Sequence, residues 1–338
     1  MAREGVELLA PLEELAVMGF AEVVSRLPYF WKLERRLDRV LVEEGIDLVL
    51  PIDYPGFNLR MARRAWKRRI PVLYYICPQV WAWKARRAYA LARHTHHVAV
   101  ILPFEEEILQ QAGARTTFVG HPLLDWHDDL PSRDRFADDH DLDPDRPILA
   151  LFPGSRRQEV ERHGPLFTTV ARMLRSERSE LQVGVARAEG ITAESLPSGG
   201  GVRLVEDGRA LLRHSRAALV KSGTTTLEAA IEGIPFVTVY RTHPITYFLA
   251  RRLVQVDHVA LANLVAGGRV APELLQDSAE PEGVLERLRP LLDETEERRR
   301  VIAGLAGVRE KLGTPGAARR VVEIAERILE EKDRTVEV

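Results

Sequence analysis

Short apolar runs alternate with longer amphipathic stretches along the chain from about residue 46 onward. This alternation is typical of βαβ units, so it predicts an α/β fold with parallel sheets. The predicted strands form two series, each of a size that makes one sheet. The first series is Asp47–Ile52, Val72–Ile76, Val98–Leu102 and Thr117–Val119, and the second is Ile148–Phe152, Leu181–Val185, Val202–Val205, Ala217–Val220 and Phe236–Tyr240.

A polar stretch rich in Asp, Arg and Pro, His127–Pro147, separates the two series and is predicted to be an interdomain linker. The length of 338 residues agrees with this division, since one domain takes roughly 150 residues. Helical stretches follow the second series, and in the last of them, Ala317–Glu331, apolar residues recur at helical spacing. The sequence therefore predicts two α/β halves followed by helices.

The composition excludes several classes of protein and partner. Lys and Arg total 48 against 50 Asp and Glu, so at a net charge of -2 the chain as a whole does not attract nucleic acid. The one cysteine, Cys77, cannot form an intramolecular disulfide, which fits a reducing compartment. No apolar stretch is long enough for a signal peptide or for the roughly 20 residues that span a bilayer. We expect a cytoplasmic protein that meets a membrane only at its surface.

A phosphate-binding pattern follows the predicted strand Ile148–Phe152, although the chain has neither the G-x-G-x-x-G nor the P-loop fingerprint. A Pro-Gly turn containing Gly154 leads into a helix that begins near Ser155 and Arg156. Backbone N–H groups and a guanidinium at such a turn suit a phosphate. The alternative is that Ser155 only caps the helix and that Arg156 is solvated.

A second turn of this kind follows the predicted strand Ala217–Val220. Gly223 allows close approach of a ligand, Ser222 and Thr224 offer hydroxyls for a diphosphate, and Glu228 can accept from sugar or ribose hydroxyls. The alternative is a glycine-containing βα turn with an ordinary threonine cap. Two such turns in one half favour a nucleotide-sugar site at the carboxyl ends of its strands.

The first half of the chain contains candidates for a general base and for a substrate pocket. Asp53 ends a predicted strand, where a carboxylate beside a cleft can act as a general base, or it orients the turn while Asn58 caps the next helix. Trp81 and Trp83 line a sugar or acyl pocket in one interpretation and belong to the core in the other. His121 follows the last predicted strand of this half and would reach the same cleft.

Two further patterns bear on metals and membranes. The spacing of His94, His96 and His97 does not favour a metal site. The segment Val17–Leu41 mixes aromatic and basic residues, which suits a helix at a lipid headgroup layer, and ordinary core packing with a basic rim explains the same pattern.

Eight segments of the chain form one ordered set of motifs: Leu15–Gly19, Ile52–Asn58, Pro78–Trp83, Gly120–Leu123, Pro153–Arg156, Ser222–Thr224, Leu227–Glu228 and Asn263–Gly267. In this order and over nearly the whole chain, they closely resemble lipid-A-disaccharide synthases. The resemblance implies a GT-B fold, with two Rossmann-like domains at residues 1–143 and 144–310 facing across a cleft. It implies that the C-terminal helix, within residues 311–338, returns to the first domain.

The resemblance also implies the reaction and its setting. The expected activity is an inverting, metal-independent transfer from UDP-2,3-diacylglucosamine to 2,3-diacylglucosamine 1-phosphate, which forms the β-1,6 lipid A disaccharide and UDP. No cofactor is expected. The expected partners are these two lipids and the cytoplasmic leaflet of the inner membrane, without nucleic acid, and homo-oligomerisation is left open.

The roles of individual residues follow from the matching motifs. Asp53 becomes the general-base candidate, and Arg156 would stabilise charge on the UDP leaving group. The implied donor-binding residues are Gly154, Ser155, Arg156, Ser222, Gly223, Thr224, Glu228, Asn263, Glu273 and Gln276. Those of the acceptor or lipid pocket are Asn58, Gln79, Trp81, Trp83 and His121. Those of the membrane surface are Phe20, Val23, Val24, Leu27, Phe30 and Trp31.

Two departures from the family pattern stand out. Family members have P-D-F-N where this chain has Pro55–Asn58 with Gly56, so one carboxylate beside Asp53 is absent. The family also begins with a strand and a G-E-x-S-G-D loop that have no counterpart here, so we expect the first domain to lack its opening strand, loop and helix. Two other interpretations stay open: a truncated, non-catalytic paralogue that binds UDP-sugar or lipid, and another GT-B enzyme, such as an epimerase, acting on a soluble UDP-sugar.

Overall fold

The computed structural model describes residues 4–10, 20–81, 86–125, 130–197, 201–243, 247 and 257–336, without the side chains of residues 20–25, 335 and 336. Within these ranges the chain forms two parallel sheets with helices between their strands. The predicted α/β class is confirmed.

The first sheet has the strand order β1-β2-β3, and both pairs are parallel. Its strands are β1 Leu73–Tyr75, β2 His97–Val100 and β3 Thr116–Phe118, with the helices α1 Phe20–Glu43, α2 Pro55–Lys67, α3 Arg86–His94 and α4 Pro103–Gln111. The predicted strand Asp47–Ile52 is reduced to two parallel bridges, Val49 with Val72 and Ile52 with Tyr75. These bridges still carry the chain along the edge of β1 and deliver Asp53 to its carboxyl end.

The second sheet is larger, with the order β6-β5-β4-β7-β8-β9 and all pairs parallel. Its strands are β4 Ile148–Phe152, β5 Gln182–Ala186, β6 Val202–Val205, β7 Ala217–Lys221, β8 Phe236–Tyr240 and β9 Glu273–Leu275. The first five were predicted to within one residue at each end. Strand β9 was not predicted, because three residues carry too little apolar pattern to be recognised.

Helices cover the second sheet, and its strands supply the largest apolar core. These helices are α6 Arg157–Glu177, α7 Gly208–Arg213, α8 Thr225–Ile231, α9 Leu261–Ala266, α10 Pro281–Leu292 and α11 Glu296–Lys311. Strands β4 and β7 lie at its centre, where parallel strands are buried on both faces, which explains their continuous apolar runs.

The stretch predicted to be a linker is more ordered than expected. It contains helix α5, Arg133–Asp139, whose Phe136 is fully buried with its ring 5.0 Å from that of His214. Arg133 donates hydrogen bonds to the backbone carbonyls of Pro144, Arg146 and His214. The linker prediction did not include this helix, because the polar composition of the stretch concealed its two fully buried residues, Phe136 and Ala137.

The last helix, α12 Ala317–Val336, returns to the first sheet. Val321, Ile324 and Ile328 pack on strand residues that include Leu73 and Ala99. Apolar positions that recur at helical spacing thus form the face that covers this sheet. None of the helices in the described ranges is long and apolar enough to cross a membrane.

Candidate active site

The turn between β4 and α6 positions the first group of site residues. Gly154 has φ +135°, and a Cβ at this position would lie 2.5 Å from the Cβ of Glu159, so the turn requires glycine. Arg156, and not Ser155, occupies the N-cap position of α6. The alternative interpretation, in which Ser155 only caps this helix, is wrong, and the Ser155 backbone N–H donates to Oε2 of Glu159 at 3.2 Å.

The turn between β7 and α8 positions the second group. The buried Ser222 hydroxyl donates to the carbonyl of Val259 at 2.6 Å, and Thr226 Oγ1 donates to the carbonyl of Gly223 at 2.8 Å. These bonds fix the turn while Thr224, at the N-cap of α8, keeps its side chain exposed. The turn is therefore rigid at its base and open at its tip.

Both turns line one cavity of about 260 Å³ at the carboxyl ends of β4, β5 and β7. The predicted donor residues in its wall are Gly154, Ser155, Ser222, Gly223, Thr224 and Glu228. The structure thus brings together six of the ten residues that the motifs assigned to the donor. The exposed Arg156 side chain lies beside the cavity, with a guanidinium nitrogen 3.6 Å from Oε1 of Glu159.

Opposite charges meet inside this cavity. Nζ of Lys221 lies 2.8 Å from Oε1 of Glu159 and 5.7 Å from the centre of the Tyr240 ring. Burial tends to raise the pKa of Glu159, but the Lys221 bond, the Arg156 charge and the Ser155 N–H hold it below its ordinary value. Neither Lys221 nor Glu159 was predicted, although Lys221 ends an otherwise apolar strand.

Glu228 lines the same cavity and has a different environment. Burial raises the pKa of its carboxyl, and the charge of Arg209 opposes this shift. A half-buried carboxyl can accept hydrogen bonds from neutral hydroxyls, which suits the predicted contact with ribose.

Asn263 and Glu273, which the motifs also assigned to the donor, lie outside this wall. Nδ2 of the fully buried Asn263 donates to Ala271 O at 2.9 Å and to Glu273 Oε1 at 2.7 Å, and its Oδ1 accepts the N–H groups of Val270 and Ala271. All its hydrogen-bonding capacity is used internally. In this arrangement the Asn263 side chain has no free group that could contact the UDP-sugar. The expected contact with the UDP-sugar is therefore replaced by a role in positioning the chain.

Glu273 connects this network to the second turn. Its carboxylate accepts the N–H groups of Val259 and Ala260 at 3.2 and 2.9 Å, and Ser222 donates to the carbonyl of the same Val259. Gln276 holds both backbone groups of Thr242, accepting its N–H at 2.7 Å and donating to its carbonyl at 3.1 Å. These residues support the loops around the site and do not line the cavity.

Asp53 occupies a strained turn at the carboxyl end of the first sheet. Asp53 and Tyr54 both have φ 47°, a left-handed conformation that is unfavourable for non-glycine residues. Asn58 Nδ2 donates to the carbonyls of Ile52 at 3.0 Å and Asp53 at 2.7 Å, and the Tyr74 hydroxyl donates to that of Asp53 at 2.8 Å. The exposed carboxylate of Asp53 is therefore carried on a backbone that two side chains hold in place.

The remaining acceptor-pocket predictions have mixed outcomes. Gln79 is exposed, and Trp83 lies outside the described residues. Trp81 packs edge-on against Phe104, with 5.2 Å between ring centres, next to the core of the second sheet, which favours the core interpretation for this side chain. His121 is buried, and burial lowers its pKa to about 4, so its Nδ1 accepts the N–H of Leu123 in the neutral form.

Glu105, at the third position of α4, is a buried carboxyl that the sequence analysis missed. It accepts hydrogen bonds from Trp81 Nε1 at 3.0 Å and from the backbone N–H of Leu102 at 3.1 Å. Burial raises the pKa of Glu105 to about 7, although these hydrogen bonds act to lower it. The only available signal was a glutamate three residues after a likely helix start, and such a signal is common.

Helix α1 presents part of the predicted membrane surface. Trp31 is 61% exposed and Leu27 is 38% exposed. Phe30 is only 7% exposed and packs with Leu33, Phe57 and Met61, so it does not belong to an exposed surface. Phe30 therefore behaves as the core interpretation predicted, and the side chains of Phe20, Val23 and Val24 lie outside the described residues.

The described residues contain no cluster of three or more His, Cys, Asp or Glu side chains that could hold a metal ion. His96 and His97 make different hydrogen bonds. His97 Nε2 contacts the Thr117 hydroxyl at 2.8 Å, and His96 Nδ1 accepts the backbone N–H of Val72 at 3.1 Å.

Comparison with known proteins agrees with the motifs. The sequence model of the lipid-A-disaccharide synthetase family matches residues 1–318. The lipid-A-disaccharide synthase of Acidobacterium capsulatum is 39% identical, over 97% of this chain and 86% of that protein. The chain belongs to the lipid-A-disaccharide synthase family. The predicted resemblance is thus confirmed.

Solved structures extend this comparison to the fold. MnaA of S. aureus, in its co-structure with UDP, has a TM-score of 0.62 at 15% identity, over 89% of this chain and 79% of that one. CalG4, the calicheamicin glycosyltransferase, has a TM-score of 0.58 at 19% identity, over 93% and 82%. At these identities the likeness concerns the fold alone, and it confirms the predicted GT-B architecture for this lipid-A-disaccharide synthase family member.

Proposed function

We propose that this chain transfers 2,3-diacylglucosamine from UDP to the 6-hydroxyl of 2,3-diacylglucosamine 1-phosphate, and so forms the β-1,6 lipid A disaccharide and UDP. The observation that carries the proposal is the single cavity lined by both Gly154–Ser155 and Ser222–Thr224. These turns belong to the segments that resemble the family, and family membership points to this substrate pair.

The donor binds at the carboxyl ends of the second sheet, where doubly wound sheets bind nucleotides. The diphosphate contacts the Ser155 backbone and the Thr224 hydroxyl, and Glu228 accepts from the ribose hydroxyls. The exposed Arg156 guanidinium beside the cavity adds positive charge near the bridging oxygen that leaves with UDP. Asn263 and Glu273 support these loops from behind.

Asp53 acts as the general base in the proposed reaction. It takes the proton from the acceptor 6-hydroxyl as that oxygen forms a bond to the anomeric carbon of the donor sugar. The bond from this carbon to the diphosphate breaks on the opposite face, and its electron pair leaves with UDP, so the configuration inverts. The rigid backbone at Asp53 supports this role, because a base must be held in place to act.

In this proposal, the domains of the two sheets bind different substrates. Residues 1–143 form the acceptor and lipid side, residues 144–310 the donor side, and the C-terminal segment 311–338 belongs with the first. The exposed Trp31 and Leu27 of helix α1 support a contact with the cytoplasmic leaflet, since an exposed indole with apolar neighbours favours a lipid headgroup layer.

An assay with both lipid precursors tests the proposal, with disaccharide and UDP measured by mass spectrometry. We expect Asp53→Asn to lower turnover by about 10²–10⁴-fold, the usual contribution of a general base, while UDP still binds. Asp47→Asn is a matched control, because Asp47 lies in the same segment and pairs with Lys332 on the surface.

Each alternative gives a different result. Unchanged turnover in Asp53→Asn would remove Asp53 from this role. UDP binding without disaccharide formation would favour the non-catalytic paralogue. Conversion of a soluble UDP-sugar in the absence of acylated substrates would favour another GT-B activity.

A further inference from the structure

Lys221 and Glu159 form an ion pair inside the proposed donor cavity. Lys221 ends β7 and Glu159 lies in the first turn of α6, and their side chains are only 16% and 18% exposed. Both residues line the cavity. The pair is thus part of the wall that a bound nucleotide would contact.

The Glu159 carboxylate makes contacts that resemble those of a phosphate group. Oε1 accepts from Nζ of Lys221 at 2.8 Å, and Oε2 accepts the backbone N–H of Ser155 at 3.2 Å. A Cβ on Gly154 would lie 2.8 Å from the same Oε2, so the carboxylate fills the space that the glycine leaves open. An N–H at a glycine turn and an ammonium are the donors that phosphate-binding turns use.

We propose that Glu159 is an internal competitor of the donor diphosphate, and that Lys221 is the cation for which the two anions compete. Diphosphate binding draws the Lys221 ammonium and the Ser155 N–H away from Glu159, whose carboxylate then turns towards Arg156 and solvent. The inference rests on the proposed function, because it assumes that the cavity takes a UDP-sugar.

The surroundings of Lys221 allow this exchange of partners. Its ammonium also lies over the Tyr240 ring, 5.7 Å from the ring centre, a contact that does not involve Glu159. Arg156, 3.6 Å from Oε1 of Glu159, provides a second cation for the displaced carboxylate. Lys221 can therefore stay directed at the cavity while Glu159 moves.

A purely structural ion pair would behave differently. In that case each residue only holds the other, so substitution of either one loosens the turn and weakens nucleotide binding. Competition instead predicts opposite signs for the two substitutions. This difference in sign is the basis of the test.

The experiment measures the dissociation constants of UDP and uridine by isothermal titration calorimetry on the whole chain. We expect Lys221→Met to weaken UDP binding about tenfold or more, the size of one charged hydrogen bond. We expect Glu159→Gln, which keeps the shape and one acceptor oxygen, to strengthen UDP binding about threefold to tenfold, since a neutral amide competes less well for Lys221. Uridine has no phosphate, so its affinity stays within about twofold in both variants, whereas one charged contact changes affinity about tenfold.

Controls and contrary outcomes complete the design. Lys332→Met removes a lysine from the surface pair with Asp47 and leaves UDP binding unchanged. Lys221→Arg retains most of the affinity, and it replaces Lys221→Met if the latter does not fold. Weaker UDP binding in Glu159→Gln, or equal changes for UDP and uridine, would overturn the inference alone. Absence of UDP binding by the unmodified chain would overturn the proposed function and the inference with it.

Discussion

Replacing Asn58 with alanine removes the side chain that holds the Asp53 turn. The Asn58 amide donates two hydrogen bonds, at 3.0 Å to the Ile52 carbonyl and at 2.7 Å to the Asp53 carbonyl. Its position in the first turn of α2 ties this helix to the preceding strand-like segment. The substitution therefore removes the tie and leaves the surrounding apolar contacts in place.

The two hydrogen bonds set the expected loss of stability. At about 1 kcal/mol each, their removal lowers the free energy of unfolding by about 2 kcal/mol. Asp53 and Tyr54 both keep φ at 47°, and each such residue costs on the order of 1–3 kcal/mol that nearby bonds must offset. Without Asn58, the Tyr74 hydroxyl is the one side chain among the described residues that still holds the Asp53 carbonyl, so the turn relaxes towards ordinary backbone angles.

A relaxed turn moves the Asp53 carboxylate. A displacement of about 1 Å costs on the order of 100-fold in rate when the moving group takes part in the reaction. UDP binding should not change, because the donor cavity is built on the second sheet. Asn58→Ala is thus expected to reduce turnover strongly while the dissociation constant of UDP stays the same.

Urea unfolding, turnover and UDP titration on the same preparations measure these effects. Tyr74→Phe removes the third hydrogen bond to the turn and should lower both stability and turnover by less than Asn58→Ala. Tyr75→Phe is the matched control, because the adjacent Tyr75 side chain packs on helix α12 instead. Normal turnover in an Asn58→Ala variant that has lost about 2 kcal/mol, the expected value of its two bonds, would refute the link between the strained turn and catalysis.

Three further predictions concern other parts of the molecule. The carboxyl of Glu105 has an ordinary pKa of 4.5 and a pKa of about 7 in the folded chain. The folded chain therefore binds the carboxyl proton more tightly than the unfolded chain does. As a result, the free energy of unfolding falls by about 3 kcal/mol as the pH rises from the lower to the higher of these values. Urea unfolding from pH 4 to pH 8 measures this slope, which should be absent in Glu105→Gln, and the same slope in that variant would exclude Glu105 as its source. Arg156→Ala should lower turnover about 10²–10³-fold, as for loss of one charge-stabilising group, and weaken UDP binding; an effect on binding alone would argue against a role in leaving-group departure. Replacing Leu27 and Trp31 together with serine should reduce sedimentation with anionic vesicles and spare turnover on detergent-dispersed lipids, and unchanged sedimentation would remove helix α1 from the membrane contact.

The parts of the site that could be predicted from the sequence depend on local chemistry. Gly154 and Gly223 each come one residue after the end of a buried strand, and hydroxyl residues lie beside them, so a few consecutive residues contain the whole signal. Because parallel strands end at the same edge of a sheet, the two turns were expected to meet, and they line one cavity.

The predictions that failed or were incomplete involve residues whose environment is set by distant parts of the chain. Phe30 lies among exposed basic residues in the sequence, yet contacts with Phe57 and Met61 of another helix bury it. Phe136 has acidic and basic neighbours and fits under His214, far along the chain. Asn263 matches a binding motif, but its hydrogen bonds are used by Glu273 and the backbone at Ala271. The average composition of a short sequence segment does not reveal that one of its side chains is buried by a distant part of the chain.

Lys221, a charged residue at the end of an apolar strand, shows which part of an ion pair can be predicted from the sequence. Four fully buried residues, Ala217–Val220, precede it on a central strand, and a cation at that position requires an anion or a hydrogen-bond acceptor nearby. That requirement could have been stated from the sequence, but its partner could not, since Glu159 is 62 residues away on the helix after a different strand. The pairing arises only because β4 and β7 are neighbours in the sheet, which puts the helix after one beside the end of the other. The same adjacency brings the two glycine turns together, so the cavity and the ion pair within it have one structural cause.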